Sequence, residues 1–253
     1  MVRQHILRDD QWVRIEHLMS GQAGHVGVTA KDNRLFVEAV LYRYRTGTPW
    51  RDLPECFGCF KVVHTRLCRL TKKGVWKSIF STLSADADNE YAMIDSTIVR
   101  AHQHSAGAVK KPGEDEAIGL SRGGLSTKIH TVVDALGNPT AFYLTGGQTH
   151  DLIGADVLLP NVCADAVLAD KAYDAQDRVV QPLEAAGKTA VIPSRANCKE
   201  KRAYDKALYK DRHLIENFFA KLKQFRAIAT RYDKRAIYFH GAIYLIGSII
   251  WLN

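Results

Sequence analysis

Three acidic residues occupy positions where a buried charge needs a reason. Asp95 lies inside the apolar run Ala92 to Val99, and Asp170 ends the run Ala166 to Asp170. A carboxylate in or at the end of a buried strand costs on the order of several kcal/mol unless it is paired with a cation or holds a metal. For either aspartate alone a salt bridge or a helix cap would suffice, and Arg100 and Lys171 are near in sequence. The third acid changes the weighing. Read as a helix over Tyr209 to Phe225 at about 100° per residue, the chain places Tyr209, Arg212, Glu216 and Lys223 within an arc of about 60°. Leu214, Ile215, Phe218, Leu222 and Phe225 gather on the neighbouring arc, which would seat the helix on a sheet and turn the polar face toward the strand ends. An Arg212–Glu216 pair one turn apart is worth about 0.2–0.5 kcal/mol on a solvated helix and explains two of these groups, not four.

The elements that must position these acids can be read from the chain. Tyr91 to Val99 reads as a buried strand, and Thr127 to Asp134 pairs with Thr140 to Leu144 as a hairpin across Ala135 to Pro139. Gly107 to Gly124 between them is rich in glycine, lysine and acid and reads as a loop. A helix from Asp151 to Leu159, a strand from Ala166 to Ala169, a helix from Ala175 to Ala186 and a strand from Thr189 to Pro193 follow. Three strands and then alternating α and β describe an α/β domain.

Ahead of it the pattern is helical. Asp9 caps a first helix, Asp32 or Asn33 opens a second that ends at Gly47, a third runs from Lys61 to Lys73, and a fourth carries Trp76, Ile79, Phe80 and Leu83 inward. The third helix presents Lys61, Thr65, Arg69 and Lys72 on one side, the stripe that a helix in a major groove offers to phosphates; a solvated charged face gives the same pattern. The polar stretch Ser84 to Asn89 marks the boundary between a small helical, helix-turn-helix-like unit at 1–88 and a larger domain at 89–253.

A formal charge of +8 suits a polyanionic partner such as nucleic acid without requiring one. The N-terminus lacks the apolar run of a signal peptide, and the apolar stretch Ile237 to Leu252 contains His240, Gly241 and Ser248 and falls short of a bilayer span, so the expected setting is cytoplasmic, with no membrane partner. Five cysteines in such a chain do not suggest a disulfide framework. Cys56, Cys59, His64 and Cys68 come near a zinc-knuckle spacing, but the last gap is one residue short and the segment reads as helix, so no zinc is expected there.

The spacing from Tyr209 through Arg212 and Glu216 to Lys223 resembles the Y-R-E-K signature of DDE transposases from bacterial insertion sequences. Segments 45–58 (RTGTPWRDLPECFG), 93–104 (MIDSTIVRAHQH), 124–139 (GLSTKIHTVVDALGNP), 168–174 (LADKAYD) and 223–234 (KQFRAIATRYDK) are similar to insertion-sequence family five in particular. The likeness runs over nearly the whole chain. Ala172, where that family has glycine, and Cys56, Cys59 and Cys68 depart from it.

The resemblance implies a ribonuclease H-like catalytic domain, a five-stranded mixed sheet flanked by helices, with Asp95 on the first strand, Asp170 at the end of the fourth and Glu216 on a late helix. It implies that these three acids are catalytic and hold two divalent ions, Mg²⁺ with Mn²⁺ able to substitute, because three carboxylates offer hard oxygen ligands. The implied reaction is binding of terminal inverted repeats, cleavage at the element ends, and attack of the exposed 3′ hydroxyls on target DNA. Tyr209, Arg212 and Lys223 would then contact DNA near the scissile bond, joined by Lys61, Arg69 and Lys72 from the helical unit. Joining two ends implies a homodimer or higher homo-oligomer on DNA in the bacterial cytoplasm and nucleoid. A stand-alone metal-dependent nuclease and a catalytically silent DNA-binding regulator are the rival readings. Lys128, His102, His104, His130 and His150 are read as surface or structural residues, Trp50 as a core or loop anchor, and Asp134 as a turn residue outside the site.

Overall fold

Alternation along one strand sets the architecture. In the computed structural model, which describes residues 7–22, 24, 28–107, 115–198 and 201–253, β1 (Tyr91–Ala101) sends Met93 and Val99 into one hydrophobic core and Ala92 and Ile94 into another. A strand buried on both faces must lie between two layers. β1 pairs antiparallel with β3 (Gly124–Val133), which pairs antiparallel with β4 (Pro139–Gly146). On its other side β1 runs parallel to β5 (Ala166–Leu168), and β5 runs parallel to β6 (Thr189–Val191). These five strands form the expected mixed sheet in the order β4-β3-β1-β5-β6. Two short additions enlarge it: β2 (Gly119–Ser121) against the start of β3, and β7 (Thr230–Arg231) against the end of β1. The loop read over 107–124 therefore ends in a strand; residues 108–114 lie outside the described residues.

The four N-terminal helices are α1 (Asp9–Glu16), α2 (Asn33–Thr46), α3 (Phe60–Lys72) and α4 (Val75–Leu83). Arg8, not Asp9, is the N-cap of α1; Asp32 caps α2 by accepting from the Leu35 N–H at 2.8 Å, and Gly47 closes it at φ 75°. After β1 comes the single turn α5 (Gln103–Ala106); α6 (Asp151–Leu158) and α7 (Gln181–Ala185) cover the Ile94 face of the sheet. The helix read over 175–186 is divided, a π turn over Gln176–Val180 preceding α7, whose Pro182 has no N–H to continue the ladder.

The opposite, Met93 face is covered by α8 (His213–Lys223), α9 (Arg226–Ala229) and α10 (Ala236–Trp251). The helix read from Tyr209 onward is also divided: Leu208–Arg212 is a 3₁₀ turn, and α8 starts at His213. Two anchors pin that turn, Tyr91 donating its hydroxyl to Asp211 at 3.1 Å and Arg212 reaching Asp95. The terminal α10 is buried between layers: Phe80 of α4 packs on Tyr244 and on Phe142 of β4 with ring centroids 5.3 and 5.1 Å apart, and Gln11 of α1 donates to the Leu252 carbonyl at 3.0 Å. The N-terminal helices, α8 and α10 thus share one hydrophobic core. Among the described residues no helix is long and apolar enough to cross a membrane.

Candidate active site

Asp95 sits in mid-β1, two residues beyond Met93 and so on the same face, toward α8. One carboxylate oxygen accepts from the Ser96 N–H at 2.7 Å, and the other accepts from Arg212 Nη1 at 2.9 Å. Arg212 Nη2 donates to Glu216 Oε1, one turn into α8. A single guanidinium therefore spans a strand acid and a helix acid separated by over a hundred residues of chain. The side chains of Asp95 and Arg212 are 22% and 20% exposed, whereas that of Glu216 is 57% exposed, so the pair is partly withdrawn from water and the third group faces it.

Asp170 follows β5 and Ala169. It caps the next turn by accepting from the Ala172 N–H at 2.8 Å. Burial above all pushes the Asp95 carboxyl up to about 6, with the carboxylates of Asp170 and Asp151 adding to the rise against the opposing Ser96 N–H and Arg212. Burial opposes the charge on Arg212, yet Asp95, Tyr209, Glu216 and Asp170 together hold its pKa above the ordinary value. The donor chemistry, three carboxylates in excess over one cation, suits a hard divalent ion. Among the described residues no three acids, histidines or cysteines converge tightly enough to hold one, and the guanidinium bonds both Asp95 and Glu216.

Behind β1 lies a second polar layer that sequence reasoning missed. Ser96 points to the α6 face, where its hydroxyl donates to Asp151 at 2.6 Å, and Lys128 donates to the same oxygen at 2.8 Å and to the Thr149 carbonyl at 2.6 Å. Lys128, read as a surface lysine, is buried and ion-paired. The close approach of α6 rests on Gly154, which lies over His130: an added Cβ there would stand 2.2–2.3 Å from the imidazole, whose Nε2 bonds Thr145 Oγ1 of β4 at 2.9 Å. Tyr173 is buried in this layer, and burial together with Asp95, Asp151 and Asp170 drives its pKa up. The one sequence signal for Asp151 was its place at the start of a helix beside a strand run; nothing local joined it to Ser96.

The other residues singled out from sequence fall into two groups. Tyr209 lies on the 3₁₀ turn with Arg212, half-buried against Tyr204 with ring centroids 5.4 Å apart. Lys223 ends α8, where partial burial lowers its pKa. Lys61, Arg69 and Lys72 line an exposed face of α3, while Val63, Leu67 and Leu70 are buried beneath. His102 and His150 each cap a short helix, His104 packs on His102, and Asp134 holds the β3–β4 turn by accepting from the N–H groups of Leu136 and Asn138. Trp50 stacks under the Arg43 guanidinium and beside His64. Cys56 and Cys59 are exposed, and Cys68 Sγ lies 3.7 Å from His64 Nε2, one turn away on α3.

Comparison with known proteins bears on this arrangement. Residues 90–249 match the family described as "Transposase DDE domain", and residues 7–80 match "Putative transposase of IS4/5 family". A "Putative transposase for insertion sequence element IS6501" from Brucella ovis is 39% identical over 133 residues, 51% of this chain and all of that protein. "Uncharacterized protein y4sN" from Sinorhizobium fredii is 46% identical over 107 residues, 42% of this chain and 86% of that protein. Among solved structures, a piggyBac transposase synaptic complex with hairpin DNA superposes with a TM-score of 0.50 at 10% identity, covering 95% of this chain and 70% of that one. At that identity the likeness concerns the fold, a ribonuclease H-like sheet with flanking helices.

Proposed function

The chain belongs to the DDE transposases of bacterial insertion sequences, a family of DNA-cleaving and strand-transferring enzymes that use divalent metal ions, and from this premise we propose that Asp95, Asp170 and Glu216 are its catalytic carboxylates. The observation that carries the proposal is the shared hold of one guanidinium on Asp95 and Glu216, beside the end of β5, which pairs with β1 at Met93 and Leu168, two residues before Asp95 and Asp170. Once the acids are released from that guanidinium, they are the groups that hold two Mg²⁺ or Mn²⁺ ions. Bound there, divalent ions supply an activated nucleophile and a stabilised leaving oxygen.

The chain's own residues do the rest. β1 fixes Asp95 through the Ser96 N–H, and α8 carries Glu216 and Lys223 along the same edge. Arg212 and Lys223 take phosphate oxygens beside the scissile bond, and Tyr209 stacks or hydrogen-bonds there. The helical unit of residues 1–88 lays Lys61, Arg69 and Lys72 along duplex DNA, while residues 89–253 cut the ends of the element and pass the 3′ hydroxyls to target DNA. Two ends joined in one event call for at least two copies of the chain on DNA, in the bacterial cytoplasm.

The decisive test is incubation of the protein with Mg²⁺ and duplex DNA carrying the repeats that flank its gene, comparing wild type with Asp170→Ala. The substitution should abolish cutting and leave end binding largely intact; equal cutting by both proteins would overturn the assignment. A joining assay with precleaved ends separates a transposase, which makes strand-transfer product, from a nuclease, which does not.

A further inference from the structure

Arg212 occupies the oxygens that the proposed metal ions would need. Its two Nη atoms end on Asp95 and Glu216, so a divalent ion and the guanidinium compete for the same oxygens. Asp170, the third acid, is at that moment engaged by the Ala172 N–H. The guanidinium keeps its charge at any working pH, so a second anion in reach is its strongest alternative partner once it leaves the two carboxylates. The anion that a planar fork of donors accepts in place of a carboxylate is a phosphate diester, bound through two parallel N–H···O bonds. Glu216 and Arg212 are both accessible enough for such an exchange, the first being largely exposed.

Resting on the function proposed above, we infer that Arg212 is a placeholder for the metal: it closes the acid site while DNA is absent and opens it by transferring from Asp95 and Glu216 to a DNA phosphate. Metal loading and DNA binding are then one coupled equilibrium. Each must tighten the other by the same factor, because a coupling free energy between two sites is reciprocal. The arrangement also gives the bare protein a resting state in which the acids gather ions only weakly until a phosphate stands beside them.

The experiment measures Mn²⁺ affinity rather than turnover. Free Mn²⁺ is followed by electron paramagnetic resonance during titration of the full chain, with and without a short duplex carrying the flanking repeat, for wild type, Arg212→Gln, Arg212→Lys and Asp170→Asn. Wild type should bind Mn²⁺ weakly alone and at least about fivefold more tightly with the duplex. Arg212→Gln should bind tightly without DNA and gain little from it. Arg212→Lys, which keeps the charge but not the fork, should fall between, and it keeps the comparison open if Arg212→Gln fails to fold. Site-specific binding lost in Asp170→Asn, yet indifferent to DNA and to residue 212, would overturn the placeholder role and leave the catalytic assignment standing. Binding that Asp170→Asn leaves untouched would overturn the carboxylate site itself.

Discussion

Asp95→Asn should make the protein more stable at neutral pH while removing its chemistry. The carboxyl is raised from its ordinary value of 3.8 to about 6, chiefly by burial. A group whose pKa is higher in the folded state favours folding when protonated, so its contribution is complete below pH 4 and lost as the pH rises through 6. A shift of about two units at about 1.36 kcal/mol each sets the penalty of the ionised group near 3 kcal/mol at pH 7.5. Asparagine has nearly the shape of the protonated acid and keeps an oxygen for the Ser96 N–H, so it should recover about 1–3 kcal/mol. In a chain of this size that is a rise in melting temperature of roughly 2–10 °C. Urea unfolding at pH 7.5 and pH 4 measures the effect, which should be present at the first and absent at the second. Millimolar Mg²⁺ together with the repeat duplex should stabilise wild type and not the variant. A variant less stable than wild type at pH 7.5, or a gain undiminished at pH 4, would refute the reasoning that burial of this charge is tolerated for function.

Other perturbations have equally definite outcomes. Gly154→Ala drives a methyl into the His130 ring and should lower stability by about 1–3 kcal/mol in thermal or chemical melts, with His130→Ala restoring part of the loss in the double variant. Arg231→Met removes the buried donor to the carbonyls of Glu116 and Asp233 and to the hydroxyl of Thr127, and should cost about 3 kcal/mol or more in the same measurement. Lys61→Glu with Lys72→Glu should weaken duplex binding across all sequences and flatten its dependence on salt, read by fluorescence anisotropy; an unchanged salt slope would remove α3 from the DNA interface.

What could be read from the sequence was what local pattern encodes. The apolar run around Asp95, the hairpin turn at Asp134 to Pro139 and the alternation of strand and helix after Asp151 each follow from short-range periodicity and turn chemistry, and the five main strands stand where those signals put them. Asp95 and Asp170 stood out because a charge in an apolar run is anomalous wherever the chain goes. The split of the 209–225 segment was invisible because its causes are distant: Tyr91 holds Asp211, and Asp95 holds Arg212. The Ser96–Asp151–Lys128 network escaped for the same reason. Lys128 stands between Thr127 and Ile129 on a strand, as a solvent-facing lysine would, and only the approach of α6, permitted by Gly154, turns that face inward.

The packing of α4 against α10 carries one more consequence. Helices from opposite ends of the chain close over the same apolar interior, so the helix with the basic face, α3, and the strand that carries Asp95 rest on one hydrophobic core. A duplex gripped at α3 would meet the acids at a fixed span and bearing, the backbone acting as a ruler. Lengthening the link at residues 84–89 would then not slacken that ruler, because the gauge is set by buried rings and not by a tether.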